Sequence, residues 1–280
     1  MKKIVILPNP TKDKGLEVTR AIADKLALLG FAVYLSDNLN IEHPDVISYV
    51  EFPAEADLIV VVGGDGSVID ASRIAIDREI PIVGVNLGRV GYLSEIDPGN
   101  LDVFARLKVG DYSVKEKMLL TVSCPSAEAA AVYAVNDVIV SHGEYLGISE
   151  FSIEDSLGNS LAYRADGLII ATPQGSTAYS FSSGGPVLAH DVDGMLVTPV
   201  CPHSFFNRSV LFNSAETITV ENTGDHKMNI AADGRLYATL LPGERCRVRA
   251  AEKKIKMLTF SENKMFTELF KKMNVTEGLK

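Results

Sequence analysis

At 280 residues, with 46% apolar and 22% charged side chains, the chain can bury one large core or two modest ones, which excludes wholesale disorder. Its net charge of −9 sets most of the surface against a polyphosphate backbone, so extended nucleic-acid binding is excluded and any phosphate must meet a local basic or amide-rich pocket. The apolar run at 4–7 is too short for a secretory leader or a membrane span, and three scattered cysteines fit neither a disulfide framework nor a metal knuckle. A cytoplasmic protein with no membrane contact is expected.

In chain order, short apolar runs at 4–7, 31–35, 57–62 and 80–85 read as strands. Between the first two, Leu16, Thr19, Ile22, Ala23, Leu26 and Leu29 recur at helical spacing, and Gly30 can supply a left-handed stop. This is βαβ rhythm, and it predicts a parallel sheet with covering helices. Residues 41–53, with acids, a histidine and two prolines, read as a loop or frayed helix. From about Asp111 the period shifts toward two, with strands expected at 117–124, 132–141, 148–153, 168–172, 217–221, 228–232 and 245–249. The Ser- and Thr-rich stretch 176–183 can start a short helix. Phe266, Leu269, Phe270 and Met273 line one face of a C-terminal helix that is expected to return to the first domain. The fold class is therefore an α/β N-terminal domain with a parallel sheet (1–108, completed by 262–280) and an all-β C-terminal domain (109–261).

Directly after the run at 58–62 comes Gly63-Gly64-Asp65-Gly66-Ser67, followed by a helical pattern. A strand, tight turn and helix start place unsatisfied N–H groups where a phosphate can approach a glycine backbone. Asp65 beside such a site is electrostatically costly unless it contacts a divalent cation or accepts a proton from an attacking hydroxyl, and either role means phosphoryl transfer. The bland alternative is a structural turn with Asp65 capping the helix. No Gly-Lys-Ser/Thr follows, so this is not a Walker A loop, and the Gly-x-Gly-x-x-Gly dinucleotide fingerprint fails at Ile69.

The loop resembles the GGDG signature shared by NAD kinases, lipid kinases and, more distantly, phosphofructokinases. Further segments resemble NAD kinases specifically: Asn86-Leu87-Gly88-Arg89-Val90-Gly91-Tyr92-Leu93, Val135-Asn136-Asp137-Val138, Arg164-Ala165-Asp166-Gly167-Leu168 running into Thr172-Pro173-Gln174-Gly175-Ser176-Thr177-Ala178-Tyr179-Ser180-Phe181-Ser182, and Thr198-Pro199-Val200-Cys201-Pro202-His203. The resemblance covers roughly residues 1 to 270. It implies a two-domain NAD-kinase-like fold, the second domain a β-sandwich, with the site between the domains. It also implies transfer of the γ-phosphoryl of ATP to the adenosine-ribose 2′-hydroxyl of NAD, and a homodimer or homotetramer. Asp137 stands where Glu is more usual in the family, Gln174 where Thr is usual, and Ser67 where Thr is usual.

Carried over by motif, Asp65 is the expected proton acceptor. The expected NAD contacts are Asp65, Gly66, Asn136, Asp137, Arg164, Asp166, Thr177, Ala178, Tyr179, Ser180, Phe181 and Ser182, with Arg235 carried weakly because Asp233-Gly234 is also a common hairpin turn. Gly63, Gly64, Gly66 and Ser67 are expected at the ATP phosphates. Lys12, Lys14 and Arg73 are candidate basic groups there, since they flank strand ends where open α/β sheets bind ligands. With no cluster of hard oxygen ligands visible besides Asp65, Mg²⁺ or another divalent cation is expected to enter with ATP rather than in a protein cage.

Overall fold

The computed structural model describes residues 2–88, 91–127, 131–143 and 147–260. They form two compact units, one reaching from the N-terminus to Glu116 and taking the chain back at Ile255, the other Lys117–Lys254. The expected C-terminal helix with Phe266, Leu269, Phe270 and Met273, and with it the domain piece 262–280, lies outside the described residues.

The first unit contains β1 (Lys3–Pro8), α1 (Glu17–Leu28), β2 (Ala32–Ser36), β3 (Val46–Tyr49), β4 (Leu58–Gly63), α2 (Asp65–Arg78), β5 (Ile82–Asn86), β6 (Ser94–Ile96) and a short α3 (Ala105–Val109). Its strands pair in parallel in the order β3-β2-β1-β4-β5-β6. The central β4 is buried at every position, as a strand covered on both faces must be. Helix α1 buries Thr19, Ile22, Ala23 and Leu26, the spacing read from sequence, and Gly30 takes φ +87° after it. Its first turn is held by buried Asp13, whose carboxylate accepts from the N–H groups of Val18 and Thr19 at 3.1 and 2.8 Å. Residues 46–49 form an edge strand where a loop or frayed helix was expected. That strand buries little of itself, so its sequence lacks a period, and pairing with β2 decides its conformation.

The second unit holds most of β7 (Ser113–Ser123), then β8 (Val132–Ala134), β9 (Asp137–His142), β10 (Ser149–Glu154), β11 (Ser160–Ala165), β12 (Gly167–Ala171), the short α4 (Tyr179–Ser182), β13 (Gly194–Val200), β14 (Val210–Asn213), β15 (Thr217–Asn222), β16 (Met228–Ala232), β17 (Arg235–Leu240) and most of β18 (Arg245–Thr259). One antiparallel sheet runs β14-β13-β12-β9-β16-β17, and the other pairs β11, β10, β15 and β18, with β7 and β8 beyond. Their inner faces share one core: Val122, Phe151, Tyr163, Val220 and Val248 from one sheet meet Val140, Ile170, Val197, Met228 and Leu240 from the other. This is a β-sandwich, and the alternating burial of β15 is the period-two signal that exposed it in sequence.

The single strand expected at 132–141 is two. Strand β8 pairs with β7 in one sheet, whereas β9 pairs with β12 and β16 in the other, so Val135 and Asn136 form the corner where the chain changes sheets. Asn136-Asp137 interrupts the apolar run at this point, a mark that a bulge within one strand would leave equally, so the change of sheet itself is not written in the sequence.

Candidate active site

The order β3-β2-β1-β4-β5 means that the chain leaves β1 in one direction and resumes at β4 on the other side of it. The carboxyl ends of β1 and β4 therefore flank a topological switch point, where loops diverge and leave a crevice. The segment after β1 carries Asn9 and Lys12, and that after β4 carries Gly63 to Ser67. The side-chain amide of Asn9 donates to Ser67 Oγ at 2.9 Å, tying the two loops together. A Cβ on Gly64 would lie 2.5 Å from Lys12 Nζ, so the ammonium of Lys12 sits over the loop backbone, and a Cβ on Gly63 would lie 2.3 Å from Ser67 Oγ. Gly63 is thus required by close approach, whereas at Gly64 the flexible end of Lys12 would have to move. Gly66 is different: nothing lies within 4 Å of a Cβ there, so the protein itself does not demand its small size.

The N-cap of α2 is Gly64, which has no side chain to bond the helix, and Asp65 is the first helical residue. Its carboxylate accepts from the backbone N–H groups of Tyr92 (2.8 Å, Oδ2) and Leu93 (3.1 Å, Oδ1). Each oxygen retains a further lone pair for a proton or a cation. Gly91 makes the approach possible, since a Cβ there would lie 2.3 Å from Asp65 Oδ1. Gly91→Ala is expected to push the carboxylate aside, lowering kcat tenfold or more while costing about 1–3 kcal/mol of stability, the usual range for a small steric insertion. Turnover and thermal midpoint measured together check this, and parental turnover would show that the carboxylate position is unimportant.

Arg73, by contrast, lies two turns along α2, about 12 Å from Asp65 along the helix axis, and is exposed. The helix does not bring it to the loop. Lys14 opens the short 3₁₀ turn before α1.

In the second unit the corner carries Asn136 and Asp137, and Asp137 begins β9 with 4% of its surface exposed. Burial, reinforced by the neighbouring Asp233 carboxylate, pushes the Asp137 carboxyl up to about 7. The turn after β12 packs against the corner. Thr172 donates its N–H to Asn136 O and its hydroxyl to Val135 O, both at 2.8 Å, and Gly175 lies so close that a Cβ would be 2.0 Å from Asn136 O. The next residues divide by direction: Thr177 is buried and donates its hydroxyl to Gln174 O, Ala178 is half-buried, and Ser180 is fully buried against Thr198 Oγ1 at 2.9 Å. Tyr179, Phe181 and Ser182 face outward, the two rings 44% and 50% exposed.

Arg164 and Asp166 are not brought to this corner. Strand register pairs Ala171 with Asp137 and Gly167 with Ser141, so these residues sit at the far end of β12, about 13 Å along the strand. There Arg164 pairs with Glu150 at 3.0 Å in an exposed ion pair, and the Asp166 backbone bonds Val200 and His142. Arg235 opens β17 just after the Asp233-Gly234 hairpin and is exposed. Asn9 escaped sequence reasoning, and Thr172 and Asp233, though inside segments picked out from the sequence, were given no role there. Asn9 was findable as the residue following the first strand at a switch point, but Asp233 has no local signal beyond a hairpin turn.

Across the described residues, no group of three or more His, Cys, Asp and Glu side chains converges as a metal cage would. No helix among them is long and apolar enough to cross a membrane.

Two family profiles match the chain, the ATP-NAD kinase N-terminal domain over residues 4–107 and the ATP-NAD kinase C-terminal domain over 135–260. The chain belongs to the ATP-NAD kinase family. Among relatives, the NAD kinase of Natranaerobius thermophilus is 32% identical over 98% of both chains, and that of Geobacter sulfurreducens 36% identical over 80% of both. A yeast NADH kinase complexed with NADH shares the fold, with a TM-score of 0.83 at 21% identity over 96% of this chain and 86% of that one. An NAD kinase from Archaeoglobus fulgidus in complex with ATP superposes with a TM-score of 0.70 at 26% identity, covering 96% of this chain and 97% of that one. As a member of the family this is a phosphotransferase that converts NAD to NADP, with an alcohol as acceptor and a nucleotide as donor.

Proposed function

We propose that Asp65 accepts the proton of the adenosine-ribose 2′-hydroxyl of NAD as the γ-phosphoryl of ATP transfers to that oxygen. The observation that carries this reading is a carboxylate fixed by two backbone N–H groups at a helix start beside the switch point. The loop amides of Gly64 to Gly66 and the ammonium of Lys12 suit the phosphates, and the unfilled space at Gly66 leaves room for them. Asn136 and Asp137 hold the ribose and adenine, since a carboxylate accepts from neighbouring hydroxyls and an amide offers both donor and acceptor. The outward-facing Tyr179 and Phe181 offer rings for stacking on the ligand. Arg164, Asp166 and Arg235 are assigned to the remainder of the dinucleotide.

The residues present fit a divalent cation that arrives on the phosphates. The single carboxylate of the loop has lone pairs left for one contact, too few for a protein cage. When bound, Mg²⁺ supplies neutralisation of charge on the transferring group. The protein's own task is alignment: the glycine loop admits the phosphates, and the Tyr92 and Leu93 amides keep Asp65 from swinging away.

A homodimer or homotetramer is part of the same proposal. It is supported by apolar side chains on the second unit that no described residue covers, with Phe205 fully exposed and Leu211 51% exposed. The three cysteines are free, which supports a reducing cytoplasmic setting.

The deciding experiment is incubation with Mg²⁺-ATP and NAD, the product read by an NADP-specific dehydrogenase. NADP formation that requires both substrates is expected, and none above a no-enzyme control would overturn the reading.

A further inference from the structure

The Asn136–Asp137 corner poses a bonding problem. Where the chain passes from one sheet to the other, backbone amides have no ladder partner, and an unpaired buried amide is costly. The carbonyls of Val135 and Asn136 are satisfied by Thr172. The amides are satisfied by one side chain, Asp233. Its Oδ2 accepts from Val135 N at 2.7 Å, and its Oδ1 from Asn136 N at 2.8 Å and Asp137 N at 3.3 Å. Its own N–H donates back to Asp137 O at 3.0 Å.

Asp233 reaches the corner because it occupies a hairpin. Asp233 and Gly234 take φ +49° and +74°, the pair of left-handed residues of a two-residue turn joining β16 to β17. Since β16 pairs with β9 up to Ala232 opposite Val138, the next residue falls beside the start of β9. The arrangement has a cost, because Asp233 places a like charge near buried Asp137. A hairpin alone does not need a carboxylate pointing at another carboxylate.

We propose that Asp233 is a positioning residue for dinucleotide binding, its carboxylate fixing the backbone of the Asn136–Asp137 corner so that both side chains are presented to the adenosine of NAD. This rests on the assignment of NAD to Asn136 and Asp137. Asp233 touches no reacting atom, so it acts on substrate affinity rather than on the chemical step.

The test compares Asp233→Asn with Asp137→Ala in the full-length enzyme. Asparagine tolerates left-handed backbone and keeps one carbonyl acceptor, so Asp233→Asn is expected to fold, which its thermal midpoint verifies. It should raise KM for NAD roughly tenfold, leaving kcat at saturating NAD and KM for ATP within about twofold. A merely structural role would not give this split. A second readout is the pH midpoint at which NAD affinity changes, followed by calorimetry. Among the described residues Asp233 is the charged group acting on Asp137 from the strands around it, so removing its charge should move that midpoint down. An unchanged KM for NAD in Asp233→Asn, with a raised one in Asp137→Ala, overturns the positioning role alone. An unchanged KM in both overturns the placement of NAD at this corner, and the proposal with it.

Discussion

Asp65→Asn is expected to lower kcat by roughly 10²–10⁴-fold, the range for losing a general base or a cation contact, while the protein remains folded. The substitution keeps size and leaves a carbonyl oxygen for one of the two N–H groups that the carboxylate now accepts. The second N–H would face an amide NH₂ rather than an acceptor, so a stability loss on the order of 1 kcal/mol should accompany the kinetic loss. Asp65→Ala removes both acceptors and should cost more stability without being slower than Asp65→Asn. A purely architectural Asp65, anchoring the segment at Tyr92 and Leu93, gives the reverse pattern: turnover within about threefold of the parent in Asp65→Asn, and damage confined to melting. Measuring kcat and thermal midpoint for both variants separates these cases. Turnover near the parent's in Asp65→Asn would leave the carboxylate no part in proton acceptance.

Asp137→Asn should become progressively more stable than the parent as pH rises. The buried Asp137 carboxyl titrates at about 7 against an ordinary 3.8, so between those values the folded protein holds a proton that the unfolded chain has released. Folding is therefore favoured by this group below about pH 3.8, and the advantage is lost as pH climbs through the folded value. The full difference is on the order of 4 kcal/mol, and between pH 4.5 and 8.5 the gap between variant and parent should widen by about 3 kcal/mol. Asparagine has no charge to bury and escapes the penalty. Urea titrations of both proteins at the two pH values read it out, and a gap constant with pH would show that Asp137 does not change protonation on folding. A carboxylate retained at such a cost fits a ligand-binding role, because the ribose hydroxyls it would accept from compensate its burial only when NAD is bound.

Local signals carried much of the fold. The α/β rhythm was legible because β1, β4 and β5 are strands buried by their neighbours and α1 buries one stripe at helical spacing, so each displays its period in few residues. The glycine loop was legible for a related reason: close approach at Gly63 leaves no room for a larger side chain, and that constraint is written into the residue itself. Strands β6, β13, β14 and β17 escaped, along with edge strand β3. In β13 a central strand is interrupted by Pro199, and β3 and β14 are edges with little buried surface, so partners rather than propensity settle them.

What the sequence by itself determined is the pair of architectures, the family, and the strand, glycine turn and helix start around Asp65, because these depend on periodicities and motifs confined to short segments. Tertiary structure alone decided that Asp65 is gripped by amides 27 and 28 residues further on, that Asn136 and Asp137 stand at a change of sheet, and that Asp233, 96 to 98 residues away, satisfies that corner. It also decided that Arg164 and Asp166 lie at the other end of β12 from them. The physical reason is common to all four. Hydrogen bonds between segments distant in sequence depend on strand order and register, which follow from burying whole faces at once and leave no periodic mark on the individual residues that the packing brings together.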